Sequence, residues 1–132
     1  MDEIRVPIIS DHDIVTARQQ GRSLALKLGF SPGDSTLIAT VISELARNIV
    51  SYARQGNILI QSAQNSQRLG IVIVASDAGP GIRDVSQAMR DGFSTSGSLG
   101  LGLPGVRRLM DDFEIASREG QGTTVTVKKW KR

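Results

Sequence analysis

The sequence has 132 residues, 39% of them hydrophobic and 22% charged, proportions that fit one soluble globular domain over positions 1–132 with a single core. It has no cysteine, no apolar run near bilayer-spanning length and an acidic opening, MDEIRVPIIS; this excludes disulfides, thiolate metal sites and a cysteine nucleophile, argues against a signal peptide or membrane anchor, and sets the cytoplasm as the expected compartment. Of the sixteen basic residues behind the net charge of +3, only Lys128, Lys129, Lys131 and Arg132 cluster, and aromatics are 4% of the chain; a nucleic-acid binder would show a basic stripe with stacking rings, so this tail reads as a solvated end.

In chain order, Glu3 to Ile9 reads as a strand, and Pro7, which lacks a backbone donor, assigns it to a sheet edge. A helix follows from Asp11 to Leu28 and stops at Gly29. Ser31-Pro32-Gly33-Asp34 is a helix start, with Ser31 as N-cap, Pro32 at the first position and an acid in the first turn. That second helix runs to about Tyr52 or Ala53 and ends at Gln55-Gly56. Asn57–Gln64 and Leu69–Ser76 form a hairpin across the polar Asn65–Arg68, and Asp77–Gly81 is a turn. Val85–Arg90 suits a short helix. The stretch Gly92–Gly105 then holds five glycines in fourteen positions and leads into a helix from about Pro104 to Met110. Phe113–Arg118 and Thr123–Trp130 close the chain as a hairpin around Glu119–Gly122. This order predicts an α+β fold: a two-layer sandwich whose mostly antiparallel mixed sheet carries its helices on one face.

Four segments bear on chemistry. The glycine run cannot be core; it suits a loop whose backbone N–H groups close around an anion before a helix N-terminus. In the second helix, Leu37, Val41, Glu44 and Asn48 form one row beside the apolar row Ile38, Ile42, Leu45 and Ile49. The first row turns polar after Val41, so Glu44 and Asn48 face the same way at the margin of the core. A carboxylate there can accept a proton and an amide oxygen can ligate a hard cation such as Mg²⁺; from this helix alone, a boundary pair bonded to nearby backbone or a solvated edge is the favoured reading. Asp77 ends an apolar strand and precedes Gly79 and Gly81, which places an acceptor where backbone can approach a flat ligand, or simply makes a turn. Gly120-Gln121-Gly122-Thr123-Thr124 is a tight turn entering a strand.

In this order and spacing the four segments resemble the ATP-binding domain of the GHKL superfamily, shared by DNA gyrase, histidine kinases and MutL, with its Bergerat fold. Ser43–Asn48 looks like the N box, Asp77–Gly81 the first glycine box, Gly100–Leu103 the second and Gly120–Thr124 the third. The resemblance implies ATP and Mg²⁺ as cofactors. It implies that Asn48 holds Mg²⁺, that Asp77 accepts from the adenine amino group, and that Gly79 and Gly81 let the base lie against backbone. Residues from Gly92 to Ser98, including Gly97 and Ser98, would be the ATP lid. Gly100, Leu101 and Gly102 would offer backbone donors to phosphate, Thr124 would close the adenine pocket, and Glu44 would be the general base.

No appended domain is visible, and the single histidine, His12, reads as a surface or helix-start residue rather than a phosphoacceptor. The sequence therefore looks most like the stand-alone serine-protein kinases of bacterial partner-switching systems, in particular the stressosome branch. That resemblance implies phosphorylation of a serine or threonine on a STAS-domain antagonist, followed by binding and activation of a PP2C-type phosphatase. An anti-sigma factor kinase that sequesters a sigma factor, or a non-catalytic module in which nucleotide only sets a shape, are the alternatives. No GxxxxGK[ST] loop and no HRD or DFG set is present, which argues against P-loop and eukaryotic-type kinase chemistry. Arg107 and Arg108 are the cations nearest the second glycine box, as phosphate or partner contacts or as solvated helix residues.

Overall fold

The computed structural model describes residues 3–81 and 102–132. The helix expected over Val85–Arg90 and the glycine run from Gly92 to Leu101 lie outside the described residues. The elements are β1 (Glu3–Ile8), α1 (Asp11–Lys27), α2 (Pro32–Ala53), β2 (Gly56–Gln64), β3 (Leu69–Asp77), α3 (Gly102–Leu109), β4 (Asp112–Arg118) and β5 (Gly122–Trp130). The described strands form one sheet in the order β1-β2-β3-β5-β4, and each neighbouring pair is antiparallel. The expected two-layer α+β arrangement is present, without a parallel pair among the described strands. Pro7 lies on β1, an edge strand, as its missing donor requires.

The helices begin where local chemistry allows. Asp13 accepts the backbone N–H groups of Ile9 at 2.9 Å and Ser10 at 3.1 Å, closing the first turn of α1. The Ile9 N–H chiefly, with that of Ser10, holds the Asp13 carboxyl below the usual carboxylate value. For α2, the Ser31 hydroxyl oxygen accepts the Asp34 N–H at 3.1 Å, and Pro32 occupies the first helical position, where no donor is needed. Helix α3 begins at Gly102, two residues ahead of the expected Pro104. Gly102 has φ of 67°, a left-handed conformation that glycine enters without steric cost.

The core lies between the sheet and the helices. On α2, Ile38, Ile42, Leu45 and Ile49 are each at most 2% exposed. Strand register stacks two apolar rows beneath them: Val6, Ile58, Ala75, Val125 and Ile115, then Ile4, Ile60, Ile73, Val127 and Phe113. Each fully buried aliphatic chain contributes about 1.5–3 kcal/mol, so this layer dominates the stability of the sheet–helix contact. No helix among the described residues is long and apolar enough to cross a membrane.

The basic C-terminus is not merely a solvated end. Lys129 donates to the Leu109 carbonyl at 3.2 Å, at the C-terminal end of α3, where a cation also meets the negative end of the helix dipole. Arg132 pairs with Asp111 at 2.6 Å, and the Trp130 backbone N–H donates to Asp111 at 2.7 Å. These contacts fasten the junction of α3 and β4 to the end of β5. The sequence showed the cluster but not its acidic partners, which lie on a different strand and turn.

Candidate nucleotide-binding site

Continuing the two apolar rows by one more step along each strand gives a third: Ile8, Gly56, Asp77, Thr123 and Ser117. It faces the helices for the same reason, since side chains alternate with period two. Here the sheet turns polar. Asp77 and Thr123 are directly paired, and the Thr123 and Ser117 hydroxyls lie 2.7 Å apart. Above this row stands the second half of α2, with the N-terminal end of α3 beside it.

Between them is a cavity of about 180 Å³. Its apolar walls are Leu45, Ile49, Ala75, Leu103 and Val125, and its polar groups include Asn48, Tyr52, Asp77 and Thr123, with Pro80 and Gly81 at the turn. Apolar surfaces with a few convergent polar groups are what a flat heterocycle needs. The Asp77 carboxylate accepts the Gly79 N–H at 2.9 Å, which sets its orientation, and an ionised carboxylate has further lone pairs with which to accept from a ligand.

The turn after β3 and the turn before β5 lock together. Gly120 donates its N–H to the Pro80 carbonyl at 2.6 Å. Gly81, at φ 78°, sits so close to the Arg118 carbonyl that a side chain would collide with it; Gly122, at φ 91°, stands likewise against the Asp77 carbonyl. Both glycines are therefore required twice, by conformation and by space. Gly79 packs against Ala53 at the end of α2, where an added Cβ would come within 2.5 Å of the Ala53 Cβ. Gly122→Ala is expected to destabilise the fold by about 2 kcal/mol, or roughly 5–10 °C in Tm, and to weaken ligand binding by displacing Asp77. Differential scanning calorimetry with and without ATP would measure both effects, and an unchanged melt would contradict the packing described.

Glu44 does not line the cavity. It lies one turn before Asn48 on α2 and is 2% exposed. Its Oε1 accepts from the Arg47 guanidinium at 3.3 Å, and its Oε2 has no hydrogen-bond partner among the described residues. Burying a carboxylate with an oxygen unsatisfied is costly, and a group of this kind calls for an explanation. Asn48 is half-buried at the cavity edge. The Asn48 amide oxygen is a hard donor of the kind that suits Mg²⁺. Among the described residues no cluster of three or more His, Cys, Asp or Glu could hold a metal.

Two residues at the cavity were not singled out in the sequence. Tyr52 extends the row Glu44–Asn48 by one more turn and is 50% exposed although it lines the cavity; the helical spacing alone could have flagged it. Partial burial and, secondarily, the Glu44 carboxylate raise its phenol above the ordinary value of 10.0, so it stays protonated at neutral pH. Thr123 is the second. Thr124, expected to close the pocket, pairs with Ser76 and Ala116 on the opposite face of the sheet and is exposed. Successive strand residues face opposite ways, so the neighbouring threonine takes the cavity position.

Gly79 and Gly81 lie at the turn after β3, and Gly102, expected in the loop ahead of the helix, is the first residue of α3. Gly97, Ser98, Gly100 and Leu101 fall outside the described residues. His12 is exposed at the start of α1, and Arg107 and Arg108 are exposed on the last turns of α3.

Residues 33–132 match the family described as histidine kinase-, DNA gyrase B- and HSP90-like ATPase. The chain belongs to this ATPase family. It is 51% identical over 131 residues to the serine/threonine-protein kinase RsbT of Bacillus subtilis, covering 99% of this chain and 98% of that one. It is 31% identical over 96 residues to an anti-sigma F factor of Heyndrickxia coagulans, covering 68% of this chain and 65% of the relative. Among solved structures, the RsbU and RsbW domains of Rv1364c from Mycobacterium tuberculosis superpose with a TM-score of 0.65 at 19% identity, over all of this chain and 33% of that one. The mycobacterial sensor histidine kinase MprB gives 0.58 at 13% identity over 99% of this chain and 97% of that one. These two similarities speak to the fold.

Proposed function

We propose that this chain is an ATP-dependent protein serine/threonine kinase of a bacterial partner switch. It phosphorylates STAS-domain antagonists and, once released from them, binds and activates a PP2C-type phosphatase. The observation that carries the catalytic part is Glu44, a buried carboxylate with one oxygen unpartnered among the described residues, one turn from Asn48 at the cavity edge. The near full-length identity to a serine/threonine-protein kinase supports the reaction class, and at 51% against 31% it favours the kinase over an anti-sigma factor.

In this reading the adenine lies in the apolar cavity and its amino group donates to Asp77. Gly79 and Gly81 keep the backbone close to the ring, and Thr123 replaces Thr124 at the pocket wall. By the resemblance, Gly97 and Ser98 would belong to the lid, and the backbone amides of Gly100, Leu101 and Gly102 would donate to the phosphates. Asn48 would hold Mg²⁺, which neutralises phosphate charge when bound. Glu44 takes the proton of the attacking serine or threonine hydroxyl as its oxygen bonds to the γ-phosphorus and the bond to the ADP oxygen breaks.

The test is direct: the protein is mixed with Mg-ATP and a purified STAS-domain antagonist. Bound nucleotide without transfer would sink the kinase reading and leave a nucleotide-dependent binding module. Asn48→Ala is expected to weaken Mg-ATP affinity by about tenfold or more, since charge-assisted contacts contribute roughly 1.5–3 kcal/mol. Titration calorimetry with and without Mg²⁺ checks it; an affinity that stays the same in both would remove Asn48 from the metal.

A further inference from the structure

We infer that Arg47 is the positioning residue for Glu44, a role that rests on the kinase reading above. The two side chains meet one turn apart on α2, with the Arg47 guanidinium 3.3 Å from Glu44 Oε1. At about 100° per residue, Asn48 lies roughly 40° to one side of Glu44 around the helix and Arg47 roughly 60° to the other. Asn48 is on the cavity flank and Arg47 is not. The guanidinium therefore holds Glu44 from behind. It engages one oxygen and leaves the other, Oε2, without a partner among the described residues.

The exposures divide the labour. Glu44 is 2% exposed and Arg47 39%. A long cation reaching from solvent supplies the counter-charge that a buried carboxylate needs, while its own charge stays hydrated. One held oxygen also fixes the side-chain rotamer, because a carboxylate with neither oxygen engaged would rotate freely about its last bond. A base that must meet a hydroxyl from a separate protein gains from such pre-orientation. A solvated helix pair would not need its acid to be this buried. A partner contact is the competing role for Arg47, and it predicts a different kinetic outcome.

The experiment measures single-turnover phosphate transfer from ATP to a purified STAS-domain antagonist, with ATP affinity measured separately, for Arg47→Met, Arg47→Lys, Glu44→Gln and the Glu44→Gln/Arg47→Met double variant. Arg47→Met is expected to slow transfer by about a hundredfold, the scale of a misplaced catalytic group, with ATP affinity and the KM for the protein substrate unchanged. Arg47→Lys, which keeps the charge but loses the planar fork, should recover roughly tenfold of that loss. The double variant should be no slower than Glu44→Gln alone, within about twofold, because Arg47 acts only through Glu44.

A raised KM with transfer rate preserved would make Arg47 a partner contact and overturn the inference, as would an equal further slowing in the Glu44→Gln background. If Arg47→Met no longer binds ATP because the fold is lost, Arg47→Lys decides: slowed transfer with affinity intact supports the role, and wild-type transfer overturns it. Wild-type transfer by Glu44→Gln would remove the general base and this inference together. Lost transfer in Glu44→Gln with full transfer in Arg47→Met would remove the inference alone.

Discussion

Glu44→Gln is expected to bind ATP as the parent does and to lose phosphoryl transfer by about a hundredfold or more, the range associated with removing a general base. The substitution keeps the shape of the side chain and removes its charge and its capacity to take a proton. Glu44 is buried, and one of its oxygens has no partner among the described residues, so neutralising it relieves a desolvation cost. Arg47 loses an ionic partner but is 39% exposed and remains hydrated. Stability should therefore hold or rise slightly, which separates this variant from one that is inactive because it unfolds. Nucleotide affinity should be kept because Asn48 and Asp77, not Glu44, line the cavity. Radiolabel transfer to a STAS-domain antagonist, beside calorimetric ATP binding and a thermal melt, gives all three readings. Transfer within a few-fold of the parent would reduce Glu44 to a buried structural acid.

The second large effect falls on binding. Asp77→Asn is expected to weaken ATP binding by about a hundredfold, the consequence of replacing an acceptor by a donor opposite a buried donor. The oxygen of the introduced amide would keep the Gly79 N–H, now held by the Asp77 carboxylate at 2.9 Å. The NH₂ group of that amide would then face the adenine amino group, donor against donor. Guanine presents a carbonyl at the same place, so the preference for ATP over GTP should narrow. A merely destabilised pocket would weaken both nucleotides alike. Competition between ATP and GTP for a fluorescent analogue distinguishes the two, and a uniform loss would count against a direct adenine contact.

Much of the site was legible because it is carried by local signals. The N-cap Ser31, Pro32 and the apolar row Ile38, Ile42, Leu45 and Ile49 specify α2 and its buried face, and the polar turn of the neighbouring row at Glu44 and Asn48 stands out against that background. Asp77 ends an alternation, Ile71, Ile73, Ala75, that any strand reading places on one face. Tyr52 was missed although it continues the same helical row, because an aromatic at a helix end is an ordinary boundary residue.

Other features depend on partners distant in sequence. Thr123 and Thr124 are chemically identical neighbours, and strand periodicity requires only that they face opposite ways. The pairing of Thr123 with Asp77 across the sheet selects which one enters the cavity. The basic tail looked solvated because its acids lie far along the chain; the pairing of β4 with β5 brings Asp111 to Trp130 and Arg132.

The sequence by itself determined the described strands and helices to within a few residues, the α+β class and the buried row of α2, since each is written in spacing, capping and turn chemistry over a few residues. The tertiary structure alone decided which threonine faces the cavity and that Glu44 is buried with one oxygen unpartnered among the described residues. These follow from strand register and from how deeply α2 is covered by the sheet, and both are set by the mutual packing of distant segments.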